Sequence, residues 1–190
     1  MDNKAALRQE LRARRRDHAL AVPDQIRSLL FKSPPRPLLQ CIPQRAIIGL
    51  YHAGAFEAPS SGYAKHFFEA GHTIALPVFA NKNAAMGFAE HSDPFDEADL
   101  ESGPFAIDQP IIQEPALVPD VVFVPLLGFT ENGARLGQGG GHYDRWLAAH
   151  PGTIAIGMGW DCQLVSDLPV EAHDQPMTAI VTPTRLYGPF

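Results

Sequence analysis

The chain has 190 residues, 45% of them hydrophobic and 19% charged, with a net charge of −6 at pH 7. That is enough for one domain with a substantial core, and too apolar for a disordered or fibrous protein. The negative balance excludes a general nucleic-acid binder, whose affinity rests on neutralising phosphates, and no apolar run approaches the ~18 residues of a membrane span.

The first twenty residues set Lys4, Arg8, Arg12, Arg14, Arg15 and Arg16 against Asp2, Glu10 and Asp17, without a serine. A transit peptide avoids acids and favours serine, so this segment is read as part of the folded protein. "NKAALRQELRARRRDHA" contains only helix-compatible residues, which predicts a helix over about 3–19. Lys4, Arg8 and Arg12 repeat at four-residue steps as one cationic stripe, with Leu7 and Leu11 on the neighbouring face. Taken alone, that pattern describes a solvated surface helix. The proline-rich 32–44 reads as a connector.

Beyond it, "AIIGLYH" (46–52) predicts a buried strand and "SSGYAKHFFEAG" (60–71) a helix with a serine cap and a terminal glycine. Further strands are expected at 72–79, 84–91, 120–125, 153–159 and 179–183, with a helix at about 141–150. Buried apolar strands alternating with helices predict an α/β fold of three layers, a mostly parallel sheet with helices on both faces. Ligands of such sheets bind beyond the carboxyl ends of the strands, where 52–60, 126–140 and 160–175 would lie. Neither an internal repeat nor a linker divides the chain, so 1–190 is expected to be a single domain. Cys41 and Cys162 lie far apart without metal-type spacing, which favours a reducing cytoplasm over a disulfide framework. A cytoplasmic monomer with no nucleic-acid or membrane partner is the expectation.

The densest chemistry is "RLGQGGGHYDRWL" (135–147). Its glycines precede a helix, whose first turn offers unpaired N–H groups and the positive end of a dipole. Arg135 adds a forked donor suited to phosphate. The stretch is neither a Walker A loop, lacking Gly-Lys-Ser/Thr, nor a dinucleotide fingerprint, since His142 stands where the last glycine belongs. Asp144 is either a simple first-turn acid or a magnesium ligand, magnesium taking hard oxygens from one or two carboxylates. Asp174 lies in the loop before the last strand. The His173–Asp174 pair lacks the further ligands of an HD phosphohydrolase, and GxSxG and HExxH are absent. Glu57 alone reads as a solvated loop acid.

Together these signals acquire direction. "KAALRQELRARR", "FEAPSS", "LPVF", "IQEP", "VPLLGFTENGARLGQGGGHYDRWL" and "IGMGWDCQLVSDLPVEAHDQPMTAIVT" run in one order along nearly all 190 residues. In them the chain resembles the 5-formyltetrahydrofolate cyclo-ligase (methenyltetrahydrofolate synthetase) family. The resemblance implies a Rossmann-like sheet and closure of 5-formyltetrahydrofolate to 5,10-methenyltetrahydrofolate with ATP and Mg2+. It implies ATP contacts from Lys4, Ala5, Ala6, Leu7 and Arg8, and from Arg135, Leu136, Gly137, Gln138, Gly139, Gly140, Gly141, His142 and Tyr143. His52 and Glu57 match folate-contacting positions, and Gln138 to His142 line the meeting point of folate and nucleotide. Asp144 and Asp174 match magnesium positions, with Arg135 and Asp144 expected to act in catalysis. Arg14 to Arg16 stay solvated on this reading. Two residues depart from the family's habit: His142 replaces a tyrosine, which touches the folate pocket, and Leu126 replaces a glycine, which should matter only to structure. His52 occupies a position more often apolar. The rival readings are a folate-binding module without catalysis, expected to lack a metal carboxylate or the cationic helix, and a sugar-phosphate isomerase needing no ATP.

Overall fold

The structure, a computed structural model, describes residues 3–190; Asp2, counted among the acids of the basic start, lies outside them. The basic segment forms helix α1 (Asn3–Ala21). Two single-turn helices follow, α2 (Asp24–Arg27) and α3 (Arg36–Leu39). The second falls inside the predicted connector. Pro37 occupies its first turn, where a missing N–H costs no hydrogen bond, so proline starts this turn instead of preventing it.

Strand β1 (Ile47–Gly49) leads to α4 (Ser61–Glu69), β2 (Thr73–Val78) and β3 (Gly87–Glu90). A hairpin of β4 (Leu100–Ser102) and β5 (Asp108–Pro110) precedes β6 (Val121–Pro125). A second hairpin, β7 (Gly128–Phe129) with β8 (Arg135–Leu136), delivers the chain to the glycines and α5 (His142–Ala149). β9 (Ile154–Met158), a 3-10 turn at Asp161–Gln163, β10 (Ala179–Val181) and β11 (Leu186–Tyr187) complete the order. Among the described residues no helix is long and apolar enough to cross a membrane.

Seven strands form one sheet in the order β11-β10-β9-β6-β1-β2-β3. The four inner links are parallel, and β3 and β11 run antiparallel on the edges. β6 sits at the centre, which explains its unbroken apolar sequence. Val121 and Phe123 join the cluster containing Tyr63 and Phe67 of α4, whereas Val122 and Val124 join that of Trp146 and Leu147 of α5. Successive side chains of a strand point to opposite faces, so α4 and α5 cover opposite sides. The three layers expected from the sequence are present.

Two local readings differ. Ser60 stands at the N-cap of α4 but makes no capping bond, because its hydroxyl donates to the carbonyl of Tyr51. The serine ties the loop after β1 to the helix instead of closing the helix end. Nor is α1 a solvated helix. Leu11, Arg15 and Ala19, at four-residue steps, are all buried, and Leu11 packs with Leu127, Leu136 and Leu168 against the carboxyl edge of the sheet. Leu126 fills space that two glycines leave open: a Cβ at Gly157 or Gly159 would approach its methyls to 2.9 or 2.8 Å.

Candidate active site

Between β8 and α5 the chain turns through Gly137–Gly141. Gly139 and Gly141 have φ of +109° and +62°, a region in which a Cβ is strained. Gly141 is the N-cap of α5, so the turn lies at the end of the helix that favours anions. Three arginines grip its carbonyls. Arg8 Nε donates to Gly137 at 3.2 Å, Arg12 Nη2 to Gln138 at 2.7 Å, and Arg145 Nη2 to Gly140 at 2.9 Å. The cationic stripe of α1 therefore faces the glycine turn.

Beneath the turn, Arg135 is 7% exposed and its Nη2 lies 2.6 Å from Asp144 Oδ1, which also accepts the Gln175 N–H at 3.1 Å. Residue 175 follows Asp174, so the loop before β10 closes directly on Asp144. Asp174 Oδ2 receives Lys4 Nζ at 2.9 Å and the Glu171 N–H at 2.8 Å, and Lys4 also meets Glu171 Oε2 at 3.1 Å. Burial would lift the Asp174 carboxyl, but the bonds from Lys4 and Glu171 outweigh it and hold the acid below its ordinary range. Burial likewise disfavours the Lys4 ammonium, and the two carboxylates more than compensate, raising it.

Glu171, His173 and Asp174 bring potential ligand atoms within 4.8 Å of one another. Asp144 is outside that trio but is linked to it through Gln175. The donors on offer are mainly carboxylate oxygens, which suits a hard cation such as magnesium. Arg135 Nε is buried without a hydrogen-bond partner among the described residues, an orphaned donor beneath the glycine turn. The residues present thus fit both a phosphate chain and its metal.

The turn and the two carboxylate loops form one wall of a cavity of about 410 Å³. The other wall is apolar: Pro77, Phe79, Met86, Phe105 and Ile107. It comes from the carboxyl end of β2, the approach to β3, and the β4–β5 hairpin. Gln109 pins that hairpin, its amide exchanging hydrogen bonds with the backbone N–H and C=O of Phe79 at 3.0 and 3.2 Å. Where the walls meet, the His142 ring packs edge-on against Phe79 at 5.0 Å and Phe105 at 5.6 Å. Arg145 Nη2 lies 3.3 Å from His142 Nδ1, and since a guanidinium only donates, Nδ1 is the acceptor. Burial, and then the Arg145 charge, hold His142 below the usual histidine value, in its neutral form.

Of the positions expected from the sequence, Lys4, Arg8, His52, Glu57, the run Arg135–Asp144 and Asp174 all line this cavity. Ala5 and Ala6 are exposed, and Leu7 packs beside Leu11; these three are absent from its wall. Arg15 was expected in solvent and is instead buried against Glu57 at 3.3 Å. The counterpart reading of Glu57 as a solvated acid also falls: it accepts bonds from Arg15, Gln138 and the Gly54 N–H. Sequence reasoning missed Glu171 and the apolar wall. Arg15 did carry a signal, because it continues the Leu7–Leu11 face at the next i+4 position. Phe79, Met86 and Phe105 carried none, being scattered over separate strand ends.

Known proteins point the same way. The profile of the 5-formyltetrahydrofolate cyclo-ligase family matches residues 1–183. The 5-formyltetrahydrofolate cyclo-ligase of Escherichia coli (strain K12) is 36% identical over 129 residues, covering 65% of this chain and 70% of the relative. That of Mus musculus is 26% identical over 191 residues, covering 94% and 92%. The NMR structure of 5,10-methenyltetrahydrofolate synthetase from Aquifex aeolicus superposes with a TM-score of 0.75 at 22% identity, covering 98% of this chain and 92% of that one, which shows the shared fold. By profile and by relatives, the chain belongs to the 5-formyltetrahydrofolate cyclo-ligase family.

Proposed function

We propose that the protein converts 5-formyltetrahydrofolate to 5,10-methenyltetrahydrofolate with ATP and magnesium, acting as a single-domain cytoplasmic monomer without a nucleic-acid or membrane partner. The observation that carries this reading is the two-sided cavity. One wall offers Lys4, Arg8, Arg135 and the helix-capping glycine turn, the other an aromatic cleft lined by Phe79 and Phe105, and His142 sits at their junction. An ATP phosphate chain fits the first wall and a pterin the second, so a formyl oxygen and a terminal phosphate would meet at the turn.

The formyl group of the substrate is an amide, too weak an electrophile for the neighbouring 10-nitrogen. Transfer of the terminal phosphoryl group to the formyl oxygen leaves ADP and turns that oxygen into a leaving group. The 10-nitrogen then bonds to the formyl carbon, the carbon–oxygen bond breaks, phosphate departs with the oxygen, and the nitrogen loses its proton. The chain's part is to position and neutralise, as in phosphoryl transfer generally. Arg135, Lys4 and Arg8 offset the phosphate charge, and the backbone of 139–141 approaches it closely. Asp144 and Asp174, with Glu171 beside them, would hold magnesium, which when bound supplies a further positive charge to the phosphate oxygens. Mixing the protein with 5-formyltetrahydrofolate and Mg-ATP tests the proposal. Methenyltetrahydrofolate absorbance should rise in step with ADP. Folate binding without turnover would favour a binding module, and no folate binding would overturn the reading.

Lys4→Ala and Arg8→Ala are expected to raise KM for ATP about tenfold and to move KM for the folate little, since charge-assisted contacts are worth ~1.5–3 kcal/mol. Equal rises in both constants would remove these residues from the nucleotide site. Lys4→Ala should also lower Tm, because it leaves Asp174 and Glu171 without their shared cation.

His142 is expected to pack and not to exchange protons. His142→Tyr should keep kcat within a few-fold and leave the pH–rate profile near neutrality unchanged. His142→Ala should raise folate KM by about five- to tenfold, the loss of ring contacts worth ~0.5–1.5 kcal/mol each. A hundredfold fall of kcat in His142→Tyr, with the fold intact, would assign the imidazole a proton-transfer role instead.

A further inference from the structure

The chemistry above makes no use of Arg15, yet its side chain is buried beside the site. It is 8% exposed, its Nη1 lies 3.3 Å from Glu57 Oε1, and its Nε is buried without a hydrogen-bond partner among the described residues. Glu57 is held from three sides. Oε2 accepts the Gly54 N–H at 2.9 Å, and Oε1 accepts Gln138 Nε2 at 3.1 Å as well as Arg15. The carbonyl of Gln138 accepts Arg12 Nη2 at 2.7 Å. A chain of contacts, Arg15 to Glu57 to Gln138 to Arg12, thus leaves α1, crosses to the loop after β1, passes to the glycine turn and returns to α1.

Glu57 lines the cavity and Arg15 does not. The carboxylate also acts on two phenols, the buried Tyr51 and the partly buried Tyr143, both raised first by burial and next by the Glu57 charge. Neutral phenols cannot balance an anion, so the counter-charge for Glu57 at this depth is Arg15. A buried ion pair is a poor stabiliser, because desolvation consumes most of the Coulombic gain; what it does supply is a defined position for the carboxylate.

We propose that Arg15 is a positioning residue for Glu57, holding that carboxylate, and through it the Gln138 side chain, at the junction of the glycine turn and the aromatic cleft without touching substrate. The inference rests on the proposed function, in which Glu57 contacts the folate.

Steady-state kinetics of the full chain test it, with thermal melting alongside. Arg15→Met, which keeps the apolar stem, should raise KM for 5-formyltetrahydrofolate about tenfold and leave KM for ATP within about twofold. Arg15→Lys keeps the charge but loses the fork and should recover all but about threefold. Glu57→Gln should raise folate KM by itself, and adding Arg15→Met to it should cost less than about a further twofold, since Arg15 acts through residue 57. A purely structural role would lower Tm and leave the ratio of the two KM values where it was. A wild-type chain that converts no 5-formyltetrahydrofolate overturns the functional reading and this proposal with it. A wild type that converts it, with Arg15→Met raising both KM values equally, raising neither, or acting additively with Glu57→Gln, overturns the positioning role alone. If Arg15→Met is too unstable to assay, Arg15→Lys decides: a folate-only rise of about threefold supports the role, and an unchanged folate KM ends it.

Discussion

Asp144→Asn is expected to lower kcat about a hundredfold while leaving the fold intact. The substitution keeps the shape of the side chain, so an amide oxygen remains to accept from Arg135 and from the Gln175 N–H, which now lie 2.6 and 3.1 Å from Oδ1. What it removes is the negative charge. Arg135, with a side chain only 4% exposed, loses its counter-ion, and on the proposed reading magnesium loses an anionic oxygen. A hundredfold corresponds to ~2.7 kcal/mol at ~1.4 kcal/mol per tenfold, within the range of one charged interaction. Raising magnesium should restore part of the rate by mass action on a weakened site, and a calorimetric magnesium titration should show the weaker affinity directly. Asp174→Asn should behave in the same way but more mildly, because Glu171 lies beside it. Full activity of Asp144→Asn at low magnesium would remove Asp144 from the metal site.

Gln163→Leu is expected to destabilise the protein by about 3–4 kcal/mol, at ~1–3 kcal/mol for each buried polar group left without a partner. Gln163 is 1% exposed. Its Oε1 accepts the Trp160 N–H at 2.7 Å, and its Nε2 donates to the carbonyls of Leu126 at 2.6 Å and Leu127 at 3.1 Å. Leucine fills the volume and satisfies none of them. For a chain of this size Tm should fall by about 10 °C, at roughly 2–4 °C per kcal/mol. Because these bonds join the segments leaving β6 and β9, folate and ATP binding should weaken together. A change in Tm under about 3 °C would mean that the three backbone groups find other partners.

Much of the site was legible because its signals are local. Glycines before a helix, an arginine two residues ahead of them and an acid in the first helical turn state their geometry within ten residues. Glu57 and Asp174 were recognisable only through the resemblance, since each sits alone in its own loop. The β4–β5 and β7–β8 hairpins, with strands of two or three residues, were too short to show any period. Yet the first of them supplies one side of the aromatic cleft.

By itself, the sequence determined the class of fold and the glycine turn ahead of α5. A parallel strand buried on both faces must be apolar throughout, as Val121–Pro125 is, and a turn through φ of +109° strongly favours glycine, as at Gly139. These requirements are written residue by residue. The tertiary structure alone decided that α1 lies across the carboxyl edge, with Leu11 in the core, Arg8 and Arg12 on the turn and Arg15 under Glu57. A cationic stripe is compatible with solvent or with anionic partners, and only the surfaces brought against it choose. The pairing of Lys4 with Asp174, 170 positions apart, has the same origin: opposite charges meet there because the sheet carries the loop before β10 back to the first turn of the chain.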